Sequence, residues 1–166
     1  ALRDIRYEVF VVEQGVPEAL EWDGIDGRCA HALALDAAGH AIGCGRLLPD
    51  GHIGRMAVRA PWRGRGVGRA ILDVLIGLAR QRGDPSVVLN AQTQAMPFYA
   101  RAGFVASGPE FEEAGIPHRE MTLALRWARR ERPAADANVA SGRRLEGVLD
   151  FAAANAGAVE AARFVD

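Results

Sequence analysis

The stretch GHIGRMAVRAPWRGRGVGRAILDVLIGLARQR, residues 51–82, decides how the chain folds, because it combines a strand, a glycine-rich turn and a long helix. Apolar Ile53, Met56 and Val58 indicate the strand, and Pro61 ends it because proline has no N–H to donate to a neighbouring strand. From Val67 onward, apolar residues recur at the three-to-four spacing of an amphipathic helix. Gly83 follows this pattern as a stop signal.

The turn between strand and helix has the composition of an anion-binding site. Its glycines stand at every second position and remove the Cβ atoms that would keep a ligand away from the backbone. The first-turn amides of a helix lack intrahelical partners and lie at the positive end of the helix dipole. The alternative is a flexible turn with solvated arginines, but the position between a strand and a helix favours a diphosphate seat. We assign to it Arg63, Gly64, Arg65, Gly66, Val67, Gly68 and Arg69.

The sequence before this stretch predicts a helix and two paired strands. Apolar residues at three-to-four spacing predict a helix over residues 2–14, which a glycine and a proline end. Residues 15–29 form an acidic, glycine-containing loop. Two short strands over residues 31–35 and 41–48 are joined by a hairpin turn and lead into the strand over 53–58, so the three form an antiparallel meander.

The sequence after the long helix predicts a second group of elements. A short β-branched run over residues 87–90 is typical of a buried strand that lies parallel to the central one, since a helix connects the two. Such neighbours would splay apart and leave a slot for a ligand. A short helix over 95–101 and strands over 104–107 and 119–125 follow, with an acidic loop over 108–118 between the two strands.

Bulk composition is that of an ordinary globular domain. The chain has 166 residues, is 49% hydrophobic and 25% charged, and carries a net charge of −1. This balance argues against a nucleic-acid binder, which usually carries a basic excess. Two cysteines imply neither a disulfide scaffold nor a metal site, so we expect no metal. No membrane span or signal peptide is visible, which favours a cytoplasmic protein without a membrane partner.

The character of the sequence changes near its end. We expect one domain over residues 1–126, a polar, alanine-rich linker over 127–142 and a helical segment over 143–166. This segment carries no recognisable chemistry. It could pack on the domain, bridge to a second subunit in a homodimer, or begin a further domain. The chain starts at Ala1 without methionine, so we expect that a first strand could precede it.

Two blocks of sequence carry a family resemblance. The pattern R-x-x-G-x-G at Arg63, Gly66 and Gly68 resembles the acyl-CoA signature of the GNAT superfamily of N-acetyltransferases. No lysine follows it as in a P-loop, and its glycine spacing is not that of a dinucleotide-binding fold. The block AMPFYARAGF, residues 95–104, is similar to the family's A-x-x-F-Y-x-K-x-G-F segment. The ElaA-like branch of the superfamily is resembled by three segments, VFVVEQGVPEALEWDGIDGRCAH, LNAQ and EEAGIPHREM.

The resemblance implies an α/β (α+β) fold with a mixed, mostly antiparallel central sheet flanked by helices, to which the helical C-terminal segment would be appended. It also implies an acetyl-CoA-dependent N-acetyltransferase that acetylates an amine of a small molecule or peptide by direct transfer in a ternary complex. The chain has no lysine and much alanine and glycine, a composition typical of a GC-rich bacterial genome, so we expect a bacterial source. A non-catalytic CoA-binding or sensing module is the alternative. A phosphate or RNA binder is a third class, which the near-zero net charge disfavours.

The resemblance also implies roles for the central strand and for the strand after the long helix. In the family the pantetheine arm pairs with the central strand, here Met56, Ala57 and Val58, and an N–H near Val58 would polarise the thioester carbonyl. Gln92 stands where the family usually has asparagine, and Asn90 is a possible substitute for binding the donor. For both residues the alternative is a role at the strand end.

Tyr99 is the candidate catalytic acid. A phenol with an ordinary pKa of about 10 stays protonated at neutral pH and can give its proton to the departing thiolate. The alternative is that Tyr99 only packs the short helix against the sheet. The base stays open among six candidates, and water could relay the proton to any of them. These candidates are Glu13, His31, His52, Glu112, Glu113 and His118.

The acidic loop over residues 15–29 is either a solvated loop or the wall of an acceptor pocket that attracts a cationic amine. If it is such a wall, it would shape the pocket together with the preceding helix. The candidate acceptor-binding residues are Phe10, Glu13, Gln14, Asp23, Asp26 and His31.

Overall fold

A computed structural model describes residues 1–125 and the backbone of residues 161–165. The predicted linker over 127–142 and the domain boundary after Arg126 lie outside the described residues and stay predictions. Most of the predicted helical segment lies outside them too.

The central unit has the predicted order. Strand β3 (Ile53–Val58) leads through a short 3-10 turn (Ala60–Trp62) to helix α3 (Val67–Arg82). The N-cap of α3 is Gly66 with φ 82°, and its C-cap is Gly83 with φ 90°. Both glycines occupy the left-handed region, which costs a residue without a Cβ little. The glycine positions of the sequence therefore mark both ends of the helix.

Two antiparallel sheets form around this unit. The first contains β1 (Ala30–Leu35), β2 (Ala41–Leu47) and β3, in the predicted meander. The second contains β4 (Ser86–Gln92), β5 (Val105–Glu113) and β6 (Ile116–Ala124) in the order β4-β6-β5. Helix α3 packs its apolar face across the interior, where Ile71, Leu72 and Leu75 are fully buried.

The two sheets meet at one place. His52, just before β3, forms a parallel bridge with Val88 of β4, and the amide of Val88 donates to the carbonyl of Gly51 at 3.1 Å. Beyond this bridge β3 and β4 belong to separate sheets. The predicted splaying of two parallel neighbours is therefore confirmed.

A bulge interrupts the pairing of β3 with β2 close to this gap. The register between β2 and β3 shifts between Cys44 and Arg46, so that Arg55 and Met56 oppose Gly45 alone. Arg55 has φ 50°, in the left-handed region that side chains rarely adopt. An extra residue of this kind bends the strand that carries it. The bulge therefore lies at the part of β3 that faces the gap.

The N-terminal helix is not uniform. Helix α1 (Leu2–Arg6) continues into a π-helix (Tyr7–Glu13), in place of the single regular helix predicted over 2–14. The amide of Gln14 accordingly bonds to the carbonyl of Val9, five residues earlier, at 3.2 Å. Such wide turns occur often at functional sites. A second short helix, α2 (Glu18–Glu21), follows within the predicted loop.

The acidic loop predicted over residues 108–118 is wrong, because β5 and β6 continue through it as a long hairpin. A register shift between Ser107 and Glu110 accommodates Gly108 and Pro109, the two residues that suggested a loop. The tight turn consists of Ala114 and Gly115, both with positive φ. Positive φ at both central residues is what a two-residue hairpin requires.

The end of the chain also differs from the prediction. After helix α4 (Met96–Arg101) and the second sheet, strand β7 (Ala161–Val165) pairs antiparallel with β1, where helix was expected. The outer edge of β1 presents N–H and C=O groups that need partners, and strand pairing satisfies them. The hydrogen bonds that the edge of β1 gains from this pairing outweigh the weak helical periodicity of the sequence.

Candidate active site

A cavity of about 730 Å³ occupies the gap between the diverging strands. It is lined by parts of both sheets, the π-helix, the loop after it and the tip of the β5–β6 hairpin. The lining residues that the sequence singled out are Phe10, Gln14, Asp23, His52, Met56, Ala57, Val58, Arg63, Asn90, Gln92, Tyr99, Glu113 and His118. The β3, β4 and α4 residues of the predicted site therefore border one space, whereas residues 64–69 of the predicted diphosphate-binding turn are not part of this lining.

The start of α3 is suited to binding an anion. No side chain caps it by a hydrogen bond, and Gly64 and Gly66 both have positive φ, at 72° and 82°. The first intrahelical bond of the turn runs from the amide of Ala70 to the carbonyl of Gly66 at 3.0 Å. The amides of residues 64–69 therefore remain for a ligand, while that of Arg63 donates to the carbonyl of Ala60, and the helix dipole favours a negative ligand. A diphosphate fits this turn.

The arginines of the turn have partners within the protein. Arg63 donates through Nε to the carbonyl of Val58 at 2.9 Å and pairs with the carboxylate of Glu13 at 2.6 Å. Arg69 pairs with Asp73, one helical turn later, at 2.9 Å. The guanidinium of Arg65 lies 5.4 Å from the centre of the Trp62 ring. Arg63 thus ties the turn to β3, a structural role that the sequence did not indicate.

Val58 presents its backbone to the gap. The amide of Arg59 donates to Ile42 on β2 at 2.9 Å, so Arg59 faces that strand. Successive residues of a strand face opposite edges, so the N–H and C=O of Val58 face away from β2. The bond from Arg63 to the Val58 carbonyl agrees with this orientation. The Val58 amide is therefore available to a ligand that enters the gap.

Tyr99 lies on α4 at the border of the cavity. Its ring makes edge contacts with Phe98 and Phe104, at centroid distances of 4.9 Å and 6.0 Å. Burial raises the pKa of the Tyr99 phenol to about 12, because the phenolate would lose its hydration. Tyr99 packs the short helix and also borders the cavity, so both roles considered from the sequence have a structural basis.

Two polar residues of β4 border the same space. Asn90 is exposed there, and Gln92 donates through its amide to the side-chain oxygen of Gln14 at 2.9 Å. Gln94 donates in turn to Gln92 at 2.7 Å. These bonds connect the end of β4 to the end of the π-helix, and both Gln14 and Gln92 line the cavity.

The predicted acceptor residues are only partly brought together. Phe10, Gln14 and Asp23 line the cavity. The other three predicted residues, Glu13, Asp26 and His31, are not part of this lining, and His31 is buried with its Nε2 at 2.9 Å from the carbonyl of Asp26.

The acids of the loop are neutralised within the protein, which the sequence did not indicate. Arg6 pairs with Glu21 and Asp26, at 2.5 Å and 2.7 Å, and its side chain is 2% exposed. Arg46 pairs with both Asp23 and Asp26, while Arg55 contacts Glu21 at 3.1 Å. Much of the loop is exposed, as the solvated alternative expects, but Glu21, Asp23 and Asp26 are paired with arginines and are not free to attract a cationic amine. The sequence contained one signal that Arg6 is buried. Arg6 stands three residues before Val9, so helical spacing places it on the same face as a residue that the structure buries.

These pairs change the titration of the acids. Hydrogen bonds from Arg46 lower the pKa of Asp23 to about 2. Burial would raise the pKa of Asp26, but hydrogen bonds from Arg46 and Arg6 outweigh it and lower this pKa. Both carboxylates therefore stay charged at neutral pH, and their ion pairs with Arg46 hold the loop against β2.

Three of the six candidate bases border the cavity. His118 is 9% exposed, and its Nδ1 lies 2.7 Å from the carbonyl of Ile116. His52 lies beside the bridge between the sheets, with its Nδ1 3.2 Å from Asp50. Glu113 lies at the exposed hairpin tip. The remaining candidates, Glu13, His31 and Glu112, are not among the cavity-lining residues.

Neither cysteine has the setting of a nucleophile. Burial raises the pKa of the Cys44 thiol to about 12 and also raises the pKa of Cys29. A thiol must ionise to attack, and raised pKa values oppose this. Within residues 1–125 and 161–165, no cluster of three His, Cys, Asp or Glu side chains could hold a metal ion, and no helix is long and apolar enough to cross a membrane.

Comparison with known proteins agrees with this geometry. Residues 2–125 match the acetyltransferase (GNAT) domain family. The chain belongs to the GNAT family of acetyltransferases. It is 40% identical to the uncharacterized N-acetyltransferase YjcF of Bacillus subtilis over 121 residues, which are 70% of this chain and 86% of YjcF.

Solved GNAT structures share the fold. A Pseudomonas aeruginosa acyl-CoA N-acyltransferase is 36% identical with a TM-score of 0.67, and the match covers 75% of this chain and 88% of that one. Escherichia coli ElaA is 31% identical with a TM-score of 0.64, over 74% and 87% of the two chains. The predicted resemblance to GNAT enzymes, with ElaA among the neighbours, is confirmed. This chain is thus an acyltransferase with the mixed, helix-flanked sheet of that family.

Proposed function

We propose that this GNAT enzyme uses acetyl-CoA to acetylate an amine of a small molecule or peptide, by direct transfer in a ternary complex. One observation carries the proposal: β3 and β4 diverge after a single bridge and open a cavity that borders Val58, Arg63 and Tyr99. A donor can enter between the strands from one end and an acceptor from the other.

The donor would lie along β3, with its diphosphate at the start of α3. The amides between Gly64 and Arg69 bind the diphosphate, and the helix dipole adds to the attraction. Of the three predicted β3 residues, Met56 and Val58 would present their backbone to the pantetheine arm, while Ala57 between them faces β2. Asn90 and Gln92 face it from β4. When bound, acetyl-CoA supplies an acetyl group activated as a thioester.

Two groups of the chain would assist the transfer. The Val58 amide donates to the thioester carbonyl, where negative charge develops as the amine attacks. The Tyr99 hydroxyl gives its proton to the departing sulfur. Its raised pKa of about 12 keeps it protonated at every pH at which the enzyme would work. The raised thiol pKa values of Cys29 and Cys44 support direct transfer rather than an acyl-cysteine route.

We further place the enzyme in the cytoplasm of a bacterium, where acetyl-CoA is made, and keep a homodimer as one of the assemblies to be tested. The boundary after Arg126, with a separate segment over residues 143–166, belongs to the same proposal. Light scattering on the full chain measures the oligomeric state. Cell fractionation in the source organism checks the location.

Calorimetry with acetyl-CoA, followed by a CoA-release assay with a panel of amines, tests the function. Tyr99→Phe should lower turnover by at least about ten-fold while acetyl-CoA affinity stays unchanged, because only the transferable proton is lost. Tyr7→Phe is the matched control, since Tyr7 is exposed on the π-helix and is not among the cavity-lining residues.

Unchanged turnover in Tyr99→Phe would show that Tyr99 is not the general acid. Binding of acetyl-CoA without turnover of any amine would indicate the non-catalytic CoA-binding module instead. If well-folded protein takes up no acetyl-CoA, the proposed function fails altogether.

A further inference from the structure

The general base is the part of the reaction that sequence and family leave open, and the second sheet contains a candidate with a fixed proton. We propose that His118 accepts the proton of the acceptor ammonium through Nε2. This inference rests on the proposed function and adds to it the group that makes the amine nucleophilic.

The hydrogen bond of His118 decides which nitrogen is free. Its Nδ1 lies 2.7 Å from the backbone carbonyl of Ile116. A carbonyl oxygen can only accept, so Nδ1 must carry the proton. In the neutral imidazole the lone pair is then on Nε2. The ring is held in the tautomer that a base at Nε2 needs.

The strand register places His118 near the reacting end of the gap. His118 of β6 is directly opposite Gln92 of β4, and paired residues share a face of the sheet. Gln92 is four residues beyond Val88, which bridges to His52. The same distance along β3 leads from His52 to Met56. His118 therefore lies about level with Met56, which is two residues before Val58 on β3, and it is one strand beyond β4.

Neighbouring side chains shield the ring without closing it off. Phe111, directly opposite on β5, stacks against His118 at a centroid distance of 5.9 Å and an interplanar angle of 22°. The His118 residue is only 9% exposed, yet it borders the cavity. A ring covered on one face and reached from the cavity can exchange a proton with a bound amine.

The two competing cavity-lining groups are less suited. His52 lies at the closed end of the gap and has Asp50 as its neighbour at 3.2 Å. Glu113 is exposed at the hairpin tip. Water hydrates such an exposed carboxylate and competes with the acceptor ammonium for its oxygens. His118 alone, of the three, combines burial, a fixed tautomer and a position level with the β3 backbone at Met56.

The proton balance of the step is complete. The acceptor ammonium gives one proton to His118 Nε2, and the freed lone pair forms the C–N bond as the C–S bond breaks. Tyr99 gives its proton to the sulfur, which leaves as the thiol. The second proton of the amine returns to the Tyr99 oxygen through water, and the His118 imidazolium releases its proton to solvent. The net products are the acetylated amine, CoA and one proton.

His118→Asn is the informative variant, because its side-chain amide can keep the donor to the Ile116 carbonyl but cannot act as a base. We expect kcat/KM for an alkylamine acceptor to fall by about 100-fold or more. Acetyl-CoA affinity, measured by calorimetry, should stay within about two-fold. His40→Asn is the matched control, since His40 is exposed at the turn between β1 and β2.

Two further measurements separate a base from a packing residue. Acceptors that are already neutral at the assay pH, such as hydrazides, should lose much less activity, because they carry no ammonium proton that must be removed before the attack. Free imidazole should restore part of the turnover of His118→Ala with the alkylamine. A residue that only packs against Phe111 would show neither effect.

Turnover of His118→Asn within about three-fold of wild type would overturn this assignment alone. So would equal losses with both classes of acceptor together with no rescue by imidazole. Failure of the wild-type protein to bind acetyl-CoA would overturn the proposed function and, with it, the role of His118.

Discussion

Replacement of Gly45 by alanine tests how closely α3 packs over the bulge that faces the gap. Gly45 lies on β2 opposite the extra residue of β3. A Cβ at this position would lie 2.6 Å from the sulfur of Met56 and 2.9 Å from methyl groups of Ile71 and Leu75. Both of these helix residues are fully buried, so the methyl group has no space to occupy.

The expected magnitude follows from this crowding. One extra methyl in a filled core costs about 1–3 kcal/mol. A loss of about 2 kcal/mol would lower the melting temperature of a domain of this size by roughly 5–10 °C. Because Met56 must move to relieve the contact, acetyl-CoA affinity should fall as well. Urea unfolding, thermal melting and calorimetry measure the three effects.

Gly54→Ala is the matched control, on the adjacent strand. No atom lies within 4 Å of a Cβ at Gly54, and its φ is not in the left-handed region. We expect its free energy of unfolding to stay within about 0.5 kcal/mol of wild type. If both variants lose equal stability, or if Gly45→Ala loses none, then the tight contact between α3 and β2 is not what fixes the helix.

Two further predictions concern the buried ion pairs. Arg6→Met should lower the free energy of unfolding, measured in urea, by about 3 kcal/mol, because it leaves Glu21 buried without its nearest cation. A loss below about 1 kcal/mol would show that Arg55 alone neutralises Glu21. Asp23 has its pKa lowered from 3.8 to about 2 in the folded protein, so its stabilisation is present above pH 4 and is lost as the pH falls toward 2. Asp23→Asn should therefore flatten the fall in stability over this window, measured by unfolding at a series of pH values, and an unchanged slope would contradict the assignment.

The elements set by local chemistry could be predicted from the sequence. The order strand, turn and helix over residues 51–82 follows from apolar spacing, Pro61 and the glycines, and the structure has it. Splaying of β3 and β4 followed from their parallel connection. The position of Tyr99 beside the cavity followed from the family pattern and not from the composition of α4.

Pairings over long sequence distances could not be predicted. Arg63 has Glu13 as its partner fifty residues away, and Arg46 bonds to Asp23 on another element. A sequence gives the charge of each group but not which opposite charge folding brings beside it. The long hairpin was missed for a related reason, since Gly108 and Pro109 are typical of a loop and a register shift can absorb them.

The single bridge between His52 and Val88 has a consequence for altering this enzyme. Where backbone hydrogen bonds join two strands, the distance between the strands is fixed. Past this bridge, the width of the gap between β3 and β4 depends on the side chains of α3 that pack below the two strands. Residues of that helix, such as Leu72 and Leu75, therefore act as spacers between the two sheets. Changing their size would widen or narrow the entrance for the amine while every group that contacts the coenzyme keeps its identity.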